Sequence, residues 1–303
     1  MKKLLSGLCL LILFCGIVST AFSDILRVPS DYETIQDAFA AVAPGSSAKI
    51  YLDPNEWAFE NLEILVENKH NILLTSDPDI GGTARIYADH DDNFMFKFIN
   101  CSNITVENLR IEAGASYIMG LGDPAIALNN CSNCSILDNQ FISYNEYNFP
   151  HCAINVDNSN YIYIRENYID NFNIGIKVKS NTYGYWGAHD YTNNTFWCQS
   201  GIEWEQFENS QRPRFWNNYI YRSNLGASAT SFTNIPSNKF YFSSHGNNFW
   251  LVNYPITLKG TQAVKAKLYH SGSYYQRCTD RFRLTDAEKE YLGGDSWYKC
   301  DDR

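Results

Sequence analysis

Apolar residues recur along this chain at every second position in short runs: Ile126/Leu128, Ile154/Val156, Ile176/Val178 and Ile202/Trp204. Alternation of period two marks a strand with one buried face. Each run follows a small residue, Ala125, Ala153, Gly175 or Gly201. Between the runs a polar turn recurs as Asn100-Cys101-Ser102-Asn103, Asn130-Cys131-Ser132-Asn133 and Asp157-Asn158-Ser159-Asn160. A second signature, asparagine leading into apolar residues, falls at Asn108, Asn139, Asn167, Asn194, Asn218 and Asn248. Three short strands per repeat, with no helix-length pattern between them, predict a parallel β-solenoid. Its coils stack about 4.8 Å apart and share one core. The repeated asparagine suits a coil corner, where one residue takes positive φ and a side-chain amide can bond the adjacent coil.

The ends read differently. Ser30 and Glu33 have the spacing of a capping box, and Ile35, Phe39 and Val42 share one helical face. A helix near residues 31–43 is therefore expected to plug the open end of the solenoid core. Residues 256–303 break the repeat and are expected to form a C-terminal capping tail. Within it, Thr285 to Leu292 reads as a short helix, bracketed by Cys278 and Cys300, which could close a staple. Residues 1–23 carry Lys2-Lys3, an apolar run from Leu8 to Ala21, and small residues at Ala21 and Ser23. That is the pattern of a secretory signal cleaved after Ser23, which leaves residues 24–255 as the solenoid.

Composition narrows the function classes. With 24 Lys+Arg against 33 Asp+Glu and no basic run, the chain is not expected to bind nucleic acid. No later segment approaches ~20 consecutive apolar residues, so membrane insertion is not expected either. Export permits disulfides. Cys101 and Cys131 hold equivalent places in successive coils, close enough for a disulfide and equally suited to a ladder of buried free thiols. Cys131-x-x-Cys134 has no second Cys-x-x-Cys to complete a zinc site.

Alternation also says which residues leave the core. One outward column reads Lys97, Ala127, Asn155, Lys177, Glu203, and its neighbour reads Asn129, Asp157, Lys179, Glu205. Asp157, Lys177, Lys179, Glu203 and Glu205 are the candidate catalytic or charge-binding residues. Opposite charges at adjacent rungs also form ordinary cross-strand pairs, so a purely structural role fits the same pattern. After Lys179 comes a long segment holding Tyr183, Tyr185, Trp186, His189 and Asp190. With Arg212 and Arg214 beyond Glu205, these are the candidate substrate-binding residues, because aromatic faces stack sugar rings and guanidinium groups meet anions.

Val28-Pro29-Ser30-Asp31-Tyr32-Glu33-Thr34-Ile35-Gln36-Asp37-Ala38-Phe39, followed by Lys49-Ile50-Tyr51-Leu52 and Asn71-Ile72-Leu73-Leu74, resembles the first segment of the pectin-lyase-like right-handed parallel β-helix superfamily. The resemblance covers roughly residues 25–255. It implies a single right-handed parallel β-helix of about seven or eight coils. It also implies a polysaccharide groove along one face, with a Lys or Arg base beside a Ca²⁺ or Arg that neutralises a uronate. Around Lys179-Ser180-Asn181 and Asn193-Asn194-Thr195-Phe196 the chain is similar to the alginate-lyase and chondroitinase-B family, in which that Lys is the base. Where that family carries its paired Ca²⁺-binding Glu, this chain has Phe172 and Ile174, and its catalytic Arg falls near Gln206. The expectation is thus an exported monomer that binds or acts on polysaccharide. It would be either a diverged lyase or hydrolase of acidic glycans, with Ca²⁺ as the cofactor to test, or a non-catalytic matrix protein using the same face.

Overall fold

The computed structural model describes residues 24–56, 58–60, 63–88, 94–114, 124–144, 152–179, 189–205, 214–230, 239–259, 265–278, 282–285 and 290–293. Over these residues the chain is an all-β parallel solenoid with one short helix. It visits three sheets in turn, of eleven, nine and nine described strands. One coil shows the order: Ser135–Leu137 in the first sheet, Gln140–Ser143 in the second, Cys152–Asp157 in the third. Each strand pairs in parallel with its counterparts one coil before and one coil after, as Ile154 does with Ile126 and Ile176.

The core lies inside this winding. Ile126, Leu128, Ile154, Val156, Ile176, Val178, Ile202 and Trp204 are all fully buried, in the alternation read from sequence. The helix α1 (Ile35–Ala41) closes the first end. Its N-cap is Thr34, whose Oγ1 accepts from the Asp37 N–H at 3.0 Å, so the cap falls four residues beyond the expected Ser30. Ile35, Ala38, Phe39 and Val42 are buried beneath it, and the Phe39 ring meets Phe98 edge-on at 6.1 Å.

Two expectations for the far end change. Tyr254–Lys259, Lys265–Ser271 and Tyr274–Gln276 continue all three sheets where a tail was expected. Phe282–Thr285 and Glu290–Gly293 are strands, so the described residues of the expected Thr285–Leu292 helix are extended. The disulfides change as well. Cys101 and Cys131 are free thiols, and Cys300, the expected partner of Cys278, lies outside the described residues. Stacking places the Cys101 and Cys131 sulfurs alike on successive coils. Each donates to a carbonyl of the preceding coil, Val66 O and Phe98 O, both at 3.4 Å. The spacing that would allow a disulfide also satisfies each thiol separately.

The repeated asparagine divides into two jobs held by neighbouring residues. Positive φ belongs to Asn108, Asp138, Glu166, Asn193, Asn217 and Gly246. The residue after each corner turns inward, and Asn139, Asn167, Asn194, Asn218 and Asn247 form a buried ladder there. Each ladder Nδ2 from Asn139 to Asn218 donates to the next Oδ1 at 3.0–3.1 Å. Each backbone N–H of those four donates to the same oxygen. The ladder ends at Leu109 N on one side and Ser273 Oγ on the other. Asn108 and Asn248, read from sequence as members, stand one residue off it.

Candidate functional site

The outer face of the third sheet carries the charged columns in the predicted register. Asn155 pairs with Lys177 and Lys177 with Glu203, while Asp157 pairs with Lys179 and Lys179 with Glu205. Lys97 heads the first column beside Ala127, and Asn129 precedes Asp157 in the second. The residues between them are the buried Val156, Val178 and Trp204, which fixes the columns outward. Lys179 is exposed and Asp157 and Lys177 are half-buried. Burial pushes the Asp157 carboxyl above the usual carboxylate range, with the Lys179 charge pulling the other way. At the start of the strand that carries Asn155 and Asp157, burial raises the Cys152 thiol to about 12, so it is not a thiolate nucleophile at neutral pH.

These residues do not fit a divalent cation. The columns alternate in sign, whereas a Ca²⁺ cage gathers several carboxylates on one side. Among the described residues no three of His, Cys, Asp and Glu converge as metal ligands. No helix among them is long and apolar enough to cross a membrane.

The remaining candidates divide. Tyr183, Tyr185, Trp186 and Arg212 lie outside the described residues, as does the Glu205 side chain. His189, Asp190 and Arg214 belong to the first sheet, not to the charged face of the third. His189 is fully buried with its ring stacked on Tyr191 at 6.0 Å. Asp190 pairs with Arg214 on the next coil and with Tyr163 on the one before. Its Oδ2 accepts from Arg165 Nη2 at 2.5 Å, and Thr192 Oγ1 donates to Oδ1. The Arg165 guanidinium also covers the Tyr163 ring at 5.0 Å, and that of Arg214 covers Trp216 at 5.1 Å. One cation thus binds this carboxylate, and a second, Arg214, stands opposite it in register on the next coil. Arg165 was missed because only the register shows that it sits beside Asp190.

A third surface was also missed. The triplets following Asn167, Asn194, Asn218, Asn247 and Ser273 read Tyr168-Ile169-Asp170, Thr195-Phe196-Trp197, Tyr219-Ile220-Tyr221, Asn248-Phe249-Trp250 and Tyr274-Tyr275-Gln276. The middle residue of each is buried, so its neighbours face out from the second sheet. The Trp197 and Tyr221 rings lie 4.5 Å apart, and Tyr221 and Trp250 lie 4.7 Å apart. The sequence signal was there in the triplets, but only pairing aligns them into a row.

No family model matches the chain, and no curated protein does. Among solved structures it is similar to ORF18 of Geobacillus virus E2, at 16% identity and a TM-score of 0.41. The match covers 88% of this chain and 55% of that one, so the chain spans about half the length of this neighbour.

The perturbed acids give a signed expectation. Burial raises the proton affinity of both Asp157 and Asp170 in the folded chain. Between the unfolded aspartate value near 3.9 and the raised folded values, the folded state binds more protons. Stability from these two groups is therefore greatest in acid and falls as pH rises through that window. Asp157→Asn is expected to flatten this decline and shift the neutral-pH urea midpoint slightly upward. Urea titrations at several pH values check it, and an unchanged pH slope would remove Asp157 as its source.

Proposed function

We propose that this is an exported polysaccharide-binding protein of the pectin-lyase-like β-helix kind, which holds a charged glycan against the outer face of the third sheet. The observation that carries the reading is the register Asp157–Lys179–Glu205 beside Asn155–Lys177–Glu203. It sets ammonium, carboxylate and amide groups one rung apart along a straight face. Lys177 and Lys179 meet carboxylate or sulfate groups of the glycan, and Asp157, Glu203 and Asn155 accept from its hydroxyls. The resemblance of residues 28–39 to that superfamily and the signal-like first 23 residues support export and the substrate class.

A catalytic version draws on one further observation, the raised proton affinity of Asp157 one rung from Lys179. A carboxyl whose proton affinity is raised by burial is the type of group that protonates a leaving oxygen.

The test is a panel of polygalacturonate, alginate, chondroitin sulfate and neutral glycans, with and without Ca²⁺. Binding, new reducing ends and the absorbance of unsaturated products are read. Lys179→Met removes the cation from the rung between Asp157 and Glu205, and is expected to weaken binding of an acidic glycan tenfold or more, about 1.4 kcal/mol. Its melting temperature should hardly move, because exposed pairs of this kind contribute under about 1 kcal/mol. Acidic-glycan binding that survives Lys179→Met intact would overturn this reading of the face.

A further inference from the structure

From the aromatic row on the second sheet, we infer a second, separate glycan site that takes an uncharged, extended polysaccharide lying along the solenoid axis. It rests on the polysaccharide reading above but not on the charged face. Successive outward residues in one column are Asp170, Trp197, Tyr221, Trp250 and Gln276, and Tyr168, Thr195, Tyr219, Asn248 and Tyr274 stand in the other. From Thr195 onward neither column holds a charge. That sets this surface apart from the third sheet, and the guanidinium beside it, of Arg222, is engaged over the Tyr221 ring at 5.2 Å rather than standing in either column.

The surface is open. Trp197 is 41% exposed and Tyr274 37%, while Tyr221 and Trp250 are half-buried, and it is the contiguity of the rings that marks the surface. The side chains are amphipathic aromatics rather than aliphatics, so Trp197 and the tyrosines add an indole N–H or hydroxyl to an apolar ring face, while the Trp250 Nε1 is buried. Sugars with equatorial hydroxyls have the complementary form, with C–H bonds on the ring faces and hydroxyls at the rim. Rungs repeat about every 4.8 Å. A pyranose ring in an extended β-linked chain spans nearly the same length, so such a chain finds one aromatic per sugar.

The rings are not coplanar. Trp197 and Tyr221 are tilted by 38°, Tyr221 and Trp250 by 71°. The surface therefore twists, which suits a single soluble chain and not the flat face of a crystalline polymer. At one end the row passes to hydrogen-bonding groups, the Tyr168 hydroxyl and the Asp170 carboxylate 3.4 Å apart. These would fix the chain's position along the row.

Native electrophoresis of the full-length protein through gels containing hydroxyethylcellulose, glucomannan or xylan tests this, with tryptophan fluorescence as the second readout. At least one of these polymers is expected to retard the wild type and quench its fluorescence, while crystalline cellulose captures little. Trp197→Ala and Trp250→Ala should each weaken retardation tenfold or more, with Tyr221→Phe close to wild type because the ring is kept. Circular dichroism confirms that the variants are folded, and Trp197→Phe covers the case in which the alanine variant is not. Lys179→Met should leave neutral-glycan retardation unchanged.

Retardation indifferent to Trp197 and Trp250 would overturn the inference, as would no retardation by any neutral polymer. Loss of acidic-glycan binding in Lys179→Met with silence in the aromatic variants would leave the charged face standing and remove this site alone. A dimer abolished by Trp197→Ala, with no glycan effect, would give the row to a second copy of the chain instead.

Discussion

Asn194→Ala is expected to lower the stability of the folded chain by about 3 kcal/mol, read as a fall in urea midpoint at constant slope. Asn194 is fully buried near the middle of the ladder. Its Nδ2 donates to Ile164 O at 2.8 Å and to Asn218 Oδ1 at 3.1 Å. Its Oδ1 accepts from the Asn167 N–H at 3.1 Å and from Asn167 Nδ2 at 3.0 Å. The losses are unequal. Asn218 Oδ1 keeps the Asn194 backbone N–H, and Asn167 Nδ2 keeps Ile136 O and Arg165 O. The Asn167 N–H keeps no side-chain acceptor, and an orphaned buried N–H costs about 1–3 kcal/mol. The amide-sized void and the weakened contacts add the remainder.

Asn194→Asp sharpens the argument. A carboxylate oxygen would then face Ile164 O and Asn218 Oδ1, both acceptors, so the folded state would hold the new acid protonated, with a raised pKa. The penalty is small below about pH 4 and grows as pH rises toward the folded value, so this variant should lie nearest wild type in acid. A loss under about 1 kcal/mol for Asn194→Ala would show that the ladder is dispensable there.

The sheet register was legible because a slip by one residue would turn every apolar side chain of a strand outward. Ile126, Ile154, Ile176 and Ile202 had one consistent alignment, and it is the one observed. The corners were less legible because adjacent residues favour asparagine for different reasons. Positive φ suits it at Asn193, and a buried amide suits it at Asn194, so a reading by type slipped by one at Asn108 and Asn248. Thr285 to Leu292 has helix-forming residues, yet a parallel edge one coil earlier offers Leu268 and Tyr269 as partners for Tyr291 and Leu292. A ready template outweighs local propensity. The charged columns were read correctly as geometry because they follow from alternation alone. His189 and Asp190 were misplaced because the segment after Lys179 was taken as one loop, whereas a first-sheet strand begins at Asp190. The aromatic row needed the pairing between coils, which no single triplet reveals.

Gly226→Ala is expected to be the most damaging of the small substitutions, lowering the melting temperature by about 10 °C or preventing folding. Gly175, Gly201 and Gly226 stand in one column of the third sheet, beside the inward Ile176, Ile202 and Ala227. At each, the missing side chain would point along the solenoid axis at the next coil. A Cβ on Gly226 would sit 2.4 Å from Pro255 O and 2.6 Å from Phe249 Cε1. Neither can yield cheaply, since one is backbone held by its sheet and the other a fully buried ring. Overpacking usually costs about 1–3 kcal/mol, and two rigid obstacles at such distances place this site at or beyond the top of that range. Gly201→Ala meets one close obstacle, Gly226 O at 2.5 Å, with its other neighbours at 3.5 Å or more, so it should cost less. Gly81 gives the contrast. It has φ of +77° and nothing within 4 Å of an added Cβ, so alanine there bears only left-handed backbone strain of about 1–2 kcal/mol. Thermal unfolding of the three variants should therefore rank Gly226 above Gly201 and Gly201 above Gly81. Equal small shifts would show that the coils can separate locally along this column, and the close backbone approach would then contribute nothing to holding the solenoid together.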